Sequence, residues 1–269
     1  PGTVPRYWTT FRDQTMRQLT PYKWIAKPGG LEIAMRAMQP AIRFDRKDCI
    51  DLPPTTIVDR VAPLTDEQER MFDEMRSTLK TMHAQGSIAA LNEATMLNKL
   101  IQICCGVAYG PAGEEMVIPC KPRLDLIEEV VEQAGAKVII FVPLLGALAM
   151  LSNQLRQRWT VGVIHGGVPK GQRDDIFSNF MRTPDPHILI AVPGTMSHGL
   201  TLTEADTVIW YGPPPSSEIY QQANARITRP GQTRNTLIVR VHSGTTVEKE
   251  RYREIDRRDT TQRNFLDLF

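Results

Sequence analysis

The chain has 269 residues, of which 41% are apolar and 23% charged, and its formal net charge at pH 7 is +2. This composition excludes wholesale disorder and predicts one large globular domain, or one domain with a smaller partner. No run approaches the roughly 18 consecutive apolar residues of a membrane span, and the N-terminus lacks a basic-then-apolar secretion signal. We therefore expect a cytoplasmic protein without a membrane partner.

The charge is unevenly distributed. Residues 1–60 and residues 226–269 each carry ten Lys or Arg against six Asp or Glu, so both ends are basic and the middle is acidic. A basic end can meet phosphates, or it can simply be a solvated helix face. Cysteines stand at positions 49, 104, 105 and 120 without a C-x-x-C pair, so neither a zinc site nor a disulfide framework is supported and we predict four reduced, packed thiols.

The first half of the chain favours helices. Residues 1–60 contain many aromatic residues and prolines without a clear period, and no fold is assigned to them. The segment Thr65-Asp66-Glu67-Gln68 has the form of a capping box and predicts a helix over residues 65–83, which its acidic first turn suits. A second helix is predicted from about Ile88 to Cys104, and residues 106–119 read as a loop or small hairpin.

From Val138 onward, short β-branched runs alternate with amphipathic stretches, which is typical of a parallel sheet covered by helices on both faces. The predicted strands are Val138–Val142, Val161–His165, His187–Val192, Thr207–Tyr211 and Leu237–Val241. The predicted helices are Arg123–Glu132, Leu144–Arg156, Gly171–Met181 and Ser216–Thr228. The predicted fold class is therefore α/β, preceded by a mainly helical region.

Residues 221–232, QQANARITRPGQ, are the most informative segment. On a helix, Gln222, Arg226 and Arg229 would project from one side, and Pro230 would end the helix. Two guanidinium groups beside an amide suit a polyphosphate, because their forks match phosphate oxygens and keep their charge. This is the arrangement of an arginine finger; a surface helix whose arginines pair with carboxylates is the alternative.

Residues 222–232 resemble the last motif, Q-A-x-x-R-x-x-R-x-G-Q, of the Swi/Snf-like branch of helicase superfamily two, and match it at every specified position. Further landmarks of that family occur in order. Residues 137–141 resemble the first strand of its second RecA-like lobe, His165-Gly166-Gly167 the turn after the next strand, and residues 194–202 its glycine-rich fifth motif. The sequence His198-Gly199-Leu200 is more similar to bacteriophage-encoded members, and Thr245–Glu248 resembles the segment that folds back to the first lobe.

The resemblance implies the RecA-like C-terminal lobe of a DNA-dependent ATPase, with ATP and Mg²⁺ bound between two lobes. It implies catalytic arginine fingers at Arg226 and Arg229, and nucleotide contacts at Gln222, Gly199 and Thr201. The implied contacts to the DNA backbone are His165, Gly166, Lys170, Arg173, Thr195 and Ser197. Solvated charge at Lys170 and Arg173, and simple packing of His198, remain open as alternatives.

The resemblance also implies three regions: a connector from the first lobe over residues 1–60, a helical region over 61–120, and the RecA-like lobe over 121–269. A G-x-x-x-x-G-K-[ST] phosphate loop does not occur in this sequence, nor does an acidic strand end for Mg²⁺, so we expect the first lobe of the same parent protein to be a partner and the chain alone to be inactive. The location would be the host cytoplasm if the protein is virus-encoded.

Two other functions stay open from the sequence. A non-catalytic lobe could bind nucleic acid or a partner protein and use its arginines only for structure. A nucleotide-sugar or dinucleotide enzyme would fit the βα alternation, but no G-x-G-x-x-G opens a helix, and Gly166–Gly171 has the wrong spacing for a pyrophosphate turn.

Overall fold

The computed structural model describes residues 5–21, 23–40, 51–84, 90–110, 112–196 and 201–266. Contacts divide the chain into two compact units, residues 1–50 with 261–269, and residues 51–260. Among the helices of these described ranges, none combines the length and the apolar content needed to cross a membrane.

The first unit contains the segment to which the sequence assigned no fold. Helix α1 (Trp8–Thr15) is followed by an antiparallel hairpin of β1 (Met16–Thr20) and β2 (Lys23–Ala26), and then by α2 (Gly30–Met38). The Arg12 guanidinium lies 3.9 Å from the centre of the Trp24 ring, which ties α1 to β2. Gly30 is required at the start of α2, since a Cβ there would come within 2.3 Å of the Thr15 carbonyl oxygen.

The second unit alternates strands and helices along most of its length. In chain order its elements are β3 (Thr55–Val61), α3 (Asp66–Ala84), α4 (Ala90–Cys104), β4 (Val107–Tyr109), β5 (Glu115–Val117), α5 (Lys121–Gln133), β6 (Lys137–Phe141), α6 (Leu145–Leu155), β7 (Val161–Ile164), α7 (Lys170–Arg182), β8 (Ile188–Ala191), a 3-10 helix (Pro193–Met196), β9 (Ala205–Trp210), α8 (Ser217–Asn224), β10 (Thr236–His242) and α9 (Thr246–Leu266). Helix α9 continues beyond residue 260 into the residues of the first unit.

Six of these strands form one parallel sheet in the order β3-β10-β9-β6-β8-β7. Helices α5 and α6 cover one face, and α7, α8 and α9 cover the other. Strands β6 and β8 are almost completely buried because both of their faces carry helices, which is why they read as continuous apolar runs. The predicted α/β fold with helices on both faces is confirmed.

The helical region before the sheet is also confirmed, together with its capping box. The Gln68 backbone N–H donates to Thr65 Oγ1 (3.3 Å), and the Thr65 backbone N–H donates to Gln68 Oε1 (3.1 Å). The Gln68 side chain, 1% exposed, also donates through Nε2 to the carbonyl of Ile103 (2.7 Å) at the end of α4. Apolar residues of both helices, Phe72, Leu100 and Ile103 among them, form a core of their own.

Candidate functional site

The structure places the described site residues in two groups. His165, Gly166 and Thr195 follow the carboxyl ends of β7 and β8, and Lys170 and Arg173 lie in the first turn of α7. The second group lies beside the amino end of β9 and consists of Thr201, Arg226 and Arg229. Gly199 and Ser197, together with His198, lie outside the described residues.

The two arginines lie in a turn, which we call the arginine turn (residues 225–232), and not on a helix. Helix α8 ends at Asn224, so the predicted helix through Thr228 was too long. The Arg226 carbonyl accepts a hydrogen bond from the Leu202 N–H (2.9 Å), and the Gly231 backbone has a φ of 98°. The Leu202 amide captures this carbonyl, so the chain leaves the helical pattern before Thr228, while the left-handed Gly231 belongs to the turn itself.

Arg226 and Arg229 are close enough for their charges to interact. Arg226 is only 7% exposed, and burial lowers the pKa of its guanidinium, as does the neighbouring charge of Arg229. Arg229 donates through Nε to the Ala225 carbonyl (3.0 Å) and through Nη1 to Thr201 Oγ1 (3.4 Å). Two adjacent guanidinium groups, one of them largely withdrawn from water, are stabilised by an anion with several oxygens.

Gln222 lies on α8 and is exposed, where its Nε2 donates to Glu218 Oε1 (3.1 Å) one turn earlier. The predicted helical face shared by Gln222, Arg226 and Arg229 does not form, because the helix ends between the first and the second of them. Thr201 and Arg229 are thus in hydrogen-bond contact, and Arg226 is close enough to Arg229 for the two charges to interact. Gln222 lies on the helix that precedes the arginine turn.

The other group surrounds two short turns at the carboxyl edge of the sheet. His165 Nδ1 accepts from the Gly167 N–H (3.1 Å), and its carbonyl accepts from the Val168 N–H (3.0 Å), so the side chain shapes the turn that it begins. A Cβ at Gly166 would meet no atom within 4 Å, which leaves the backbone open to approach. The Thr195 hydroxyl donates to the Val192 carbonyl (2.7 Å), and Lys170 is exposed.

Two polar residues to which the sequence assigned no role of their own anchor the arginine turn. Gln232, 6% exposed, donates through Nε2 to the carbonyl of Ala205 (2.9 Å) at the start of β9 and accepts from the Arg234 N–H (3.0 Å). Asn224 Oδ1 accepts from the indole N–H of Trp210 (3.0 Å). Gln232 is the last residue of the motif, so its position was known from the sequence. The neighbouring residues did not indicate that its side chain hydrogen-bonds to a strand.

The region from α5 through the arginine turn has a counterpart among known families. Residues 122–231 match the helicase conserved C-terminal domain. Over 210 residues the chain is 26% identical to an uncharacterized ATP-dependent helicase, MG018, of Mycoplasma genitalium, covering 77% of this chain and 20% of that protein. It is 25% identical over 142 residues to the chromatin-remodeling ATPase INO80 of Emericella nidulans, covering 52% of this chain and 9% of the relative.

Solved structures of ATPases have a similar fold. The Sulfolobus solfataricus SWI2/SNF2 ATPase core in complex with double-stranded DNA superposes with a TM-score of 0.58 at 26% identity, covering 77% of this chain and 44% of that one. The C-terminal part of the Fun30 ATPase domain superposes with a TM-score of 0.62 at 16% identity, covering 76% and 89%, which shows the fold alone. Residues 122–231 are thus similar to a helicase C-terminal domain, and the predicted RecA-like fold is confirmed, while the chain spans at most a fifth of the length of the two curated relatives described above.

Proposed function

We propose that this chain supplies the second RecA-like lobe of a DNA-dependent ATPase, and that Arg226 and Arg229 act as arginine fingers at an ATP site between two lobes. The observation that carries the proposal is the pair of interacting guanidinium groups in the arginine turn, with Arg226 largely buried and Arg229 bonded to Thr201. Adjacent positive charges of this kind are stabilised by the equatorial oxygens of a transferring phosphoryl group.

The residues present fit ATP rather than Mg²⁺. A guanidinium group does not coordinate a metal ion. Among the described residues, no cluster of three or more His, Cys, Asp or Glu side chains has a geometry that could hold one. Arg226 and Arg229 would hold the phosphates, with Thr201 and Gln222 beside them and Gly199 as a further contact predicted from the sequence. ATP with Mg²⁺ supplies the phosphoryl group, and the first lobe of the parent protein would hold the metal.

The DNA contacts in this proposal lie at the carboxyl edge of the sheet. Lys170 and Arg173 begin α7 directly after the His165-Gly166 turn, and Thr195 follows the neighbouring strand. Exposed backbone and basic side chains at this edge are suited to phosphates, which give affinity without sequence preference. Double-stranded DNA is bound by the Sulfolobus ATPase core, which supports the same class of partner here.

The test is ATP hydrolysis by the full-length protein, with and without DNA. Arg226→Ala and Arg229→Ala are each expected to lower kcat by roughly a thousandfold, the scale of arginine fingers. Arg234→Ala is the matched control, because Arg234 is an exposed arginine of the next segment whose Nη1 bonds to the Glu204 carbonyl. An unchanged DNA-stimulated rate in Arg226→Ala would leave the non-catalytic binding lobe as the better reading.

The similarity of the fifth motif to bacteriophage-encoded members, a cytoplasmic location, and the boundaries 1–60, 61–120 and 121–269 stay predictions from the sequence. A comparison of DNA-stimulated ATPase between this chain alone and the chain with a separately expressed first lobe tests the shared site directly. Activity only with both lobes is the expected outcome.

A further inference from the structure

The arginine turn depends on α8 for its position. Helix α8 has eight residues, and its last residue, Asn224, is held by the Trp210 indole of β9. Beyond it the chain forms successive turns, in which the hydrogen bonds span two to four residues. A short helix is marginal without tertiary contacts, so whatever holds α8 also sets where the two arginines lie.

One contact to α8 passes through a buried arginine of the sheet. Arg240 of β10 donates through Nε to the Tyr220 hydroxyl (2.9 Å), and its two terminal nitrogens donate to both carboxylate oxygens of Asp256 on α9 (3.0 and 2.7 Å). The guanidinium carbon also lies 5.1 Å from the centre of the Tyr220 ring and 5.5 Å from that of Tyr252. This charged group therefore holds Tyr220 of α8 together with Asp256 and Tyr252 of α9.

A second contact joins the two helices directly. Gln221 of α8 donates through Nε2 to Asp259 Oδ1 of α9 (2.5 Å). Asp259 lies three residues after Asp256, so both carboxylates project from one side of α9. That side faces α8, and the two helices also share an apolar core through Tyr220, Ala223, Tyr252 and Ile255.

We propose that α9 positions the arginine turn, with Asp259 acting through Gln221 and Asp256 acting through Arg240 and Tyr220. This inference rests on the proposed function, since it assigns a purpose to where Arg226 and Arg229 are held. The two carboxylates are positioning residues: the Asp259 carboxylate accepts from Gln221 of α8, and the Asp256 carboxylate accepts from Arg240 of β10. The position of Arg226 and Arg229 must be held closely, because a displacement of about 1 Å at a catalytic group can cost roughly a hundredfold in rate.

Hydrogen exchange of this 269-residue chain tests the positioning without any ATP. In Asp259→Ala, amides of residues 217–232 and the Leu202 amide, which bonds to Arg226, are expected to exchange roughly tenfold faster, the factor for one lost hydrogen bond. Asp259→Asn keeps an acceptor oxygen and is expected to restore slow exchange. Glu250→Ala is the matched control, because the bonds of Glu250 go to Arg253 and Arg257 of the same helix. Wild-type exchange of this region in Asp259→Ala would overturn the proposal.

ATP hydrolysis by the full-length protein gives the second readout. Asp259→Ala is expected to lower kcat roughly tenfold to a hundredfold with little change in KM for ATP or in Tm, and Asp259→Asn to recover most of kcat. A purely structural role would instead lower kcat only in step with Tm, which would count against positioning. If Arg226→Ala keeps full activity, the finger assignment fails, whereas the exchange experiment still decides whether α9 holds the turn.

Discussion

Arg123 and Glu248 form an ion pair in the interior, with exposed fractions of 2% and 0%. The Arg123 Nη2 donates to both oxygens of Glu248 (2.9 and 3.0 Å), its Nη1 donates to the Tyr211 carbonyl, and Glu248 also accepts from the Ser243 N–H (2.6 Å). Burial alone would lower the pKa of Arg123, but the carboxylate of Glu248 and the other groups around it outweigh this and raise it. The pair connects α5, the end of β9 and the start of α9, so Thr245–Glu248 is an anchor within this lobe.

Glu248→Gln is expected to destabilise the chain by about 3–5 kcal/mol, because it leaves a buried guanidinium without its counter-charge. Arg253→Gln is the control: its partner, Glu250, is a surface residue of the same helix, and such pairs contribute about 0–1 kcal/mol. The free energy of unfolding from urea titrations measures both. A loss under about 1 kcal/mol in Glu248→Gln would show that the carboxamide replaces the carboxylate adequately.

Three of the four cysteines are buried thiols in the described part of the chain. Cys104, Cys105 and Cys120 are free and buried, as the spacing predicted, while Cys49 lies outside the described residues. Burial raises the pKa of the Cys104 thiol to about 12, and it also raises the pKa of Cys105 and Cys120. Thiols in this state are protonated at neutral pH, which is the condition of packing residues rather than nucleophiles.

Elements were predicted well where local pattern decides the structure. All five strands predicted from the β-branched runs occur, because strands buried on both faces require continuous apolar sequence. Strand β3, Thr55–Val61, was missed: it is an edge strand with Asp59 and Arg60 among its residues, and it forms by pairing with β10, which lies far along the chain. The end of α8 was misplaced for a similar reason, because the amide of Leu202 that captures the Arg226 carbonyl is distant in sequence.

The choice of Arg226, Arg229 and Thr201 as site residues followed from the resemblance to a helicase family, and the structure brings these three residues together. Their roles toward a nucleotide stay predictions. The supports of the turn, Gln232 against Ala205 and Asn224 against Trp210, depend on which strand lies beside it and have no local signature. The sequence therefore indicated which residues lie together better than how they are attached to the sheet.

The capping box at the start of α3, which also reaches α4 through the Gln68 side chain, can be tested by two substitutions. Thr65→Ala is expected to cost about 1 kcal/mol, since it removes an acceptor from the first turn of α3. Gln68→Met is expected to cost more, because the Ile103 and Cys104 carbonyls also lose their side-chain donor.

Thr78→Ala is the matched control for these variants. Its hydroxyl bonds to the Glu74 carbonyl on the exposed side of α3, where alanine is a better helix former, so unfolding free energy is expected to stay level or rise slightly. Equal losses in Thr65→Ala and Thr78→Ala, measured by urea unfolding, would contradict a capping role.

Across the whole lobe, the two groups of site residues lie at different edges of the sheet. The arginine turn adjoins the amino end of β9 through Gln232 and Ala205, whereas His165, Thr195 and the start of α7 follow carboxyl ends of strands. Under the proposed function, the nucleotide and the nucleic acid would therefore bind at separate edges of the sheet, without overlap of the two ligands.

The proposed DNA contacts of Lys170 and Arg173 can be tested by the salt dependence of DNA binding. If both contact phosphates, the double variant Lys170→Ala/Arg173→Ala is expected to bind duplex DNA more weakly, and to lower the slope of log K against log salt by about 2, since each phosphate contact contributes about 0.9. Fluorescence anisotropy of labelled duplexes over a KCl series measures this slope for the full-length protein. The loss is expected to be the same for unrelated sequences, because phosphate contacts carry no base information.

Arg182→Ala separates a local contact from a general effect of net charge. Arg182 is an exposed arginine in the last turn of the same helix, about 18 Å from Lys170 at 1.5 Å per residue. That distance exceeds the Debye length of about 8 Å at physiological salt, so the slope in Arg182→Ala is expected to stay near that of the wild type. If the slope in Arg182→Ala falls by about half as much as in the double variant, each removed charge has the same effect wherever it lies. The domain would then attract DNA through its overall charge, and the start of α7 would make no phosphate contacts of its own.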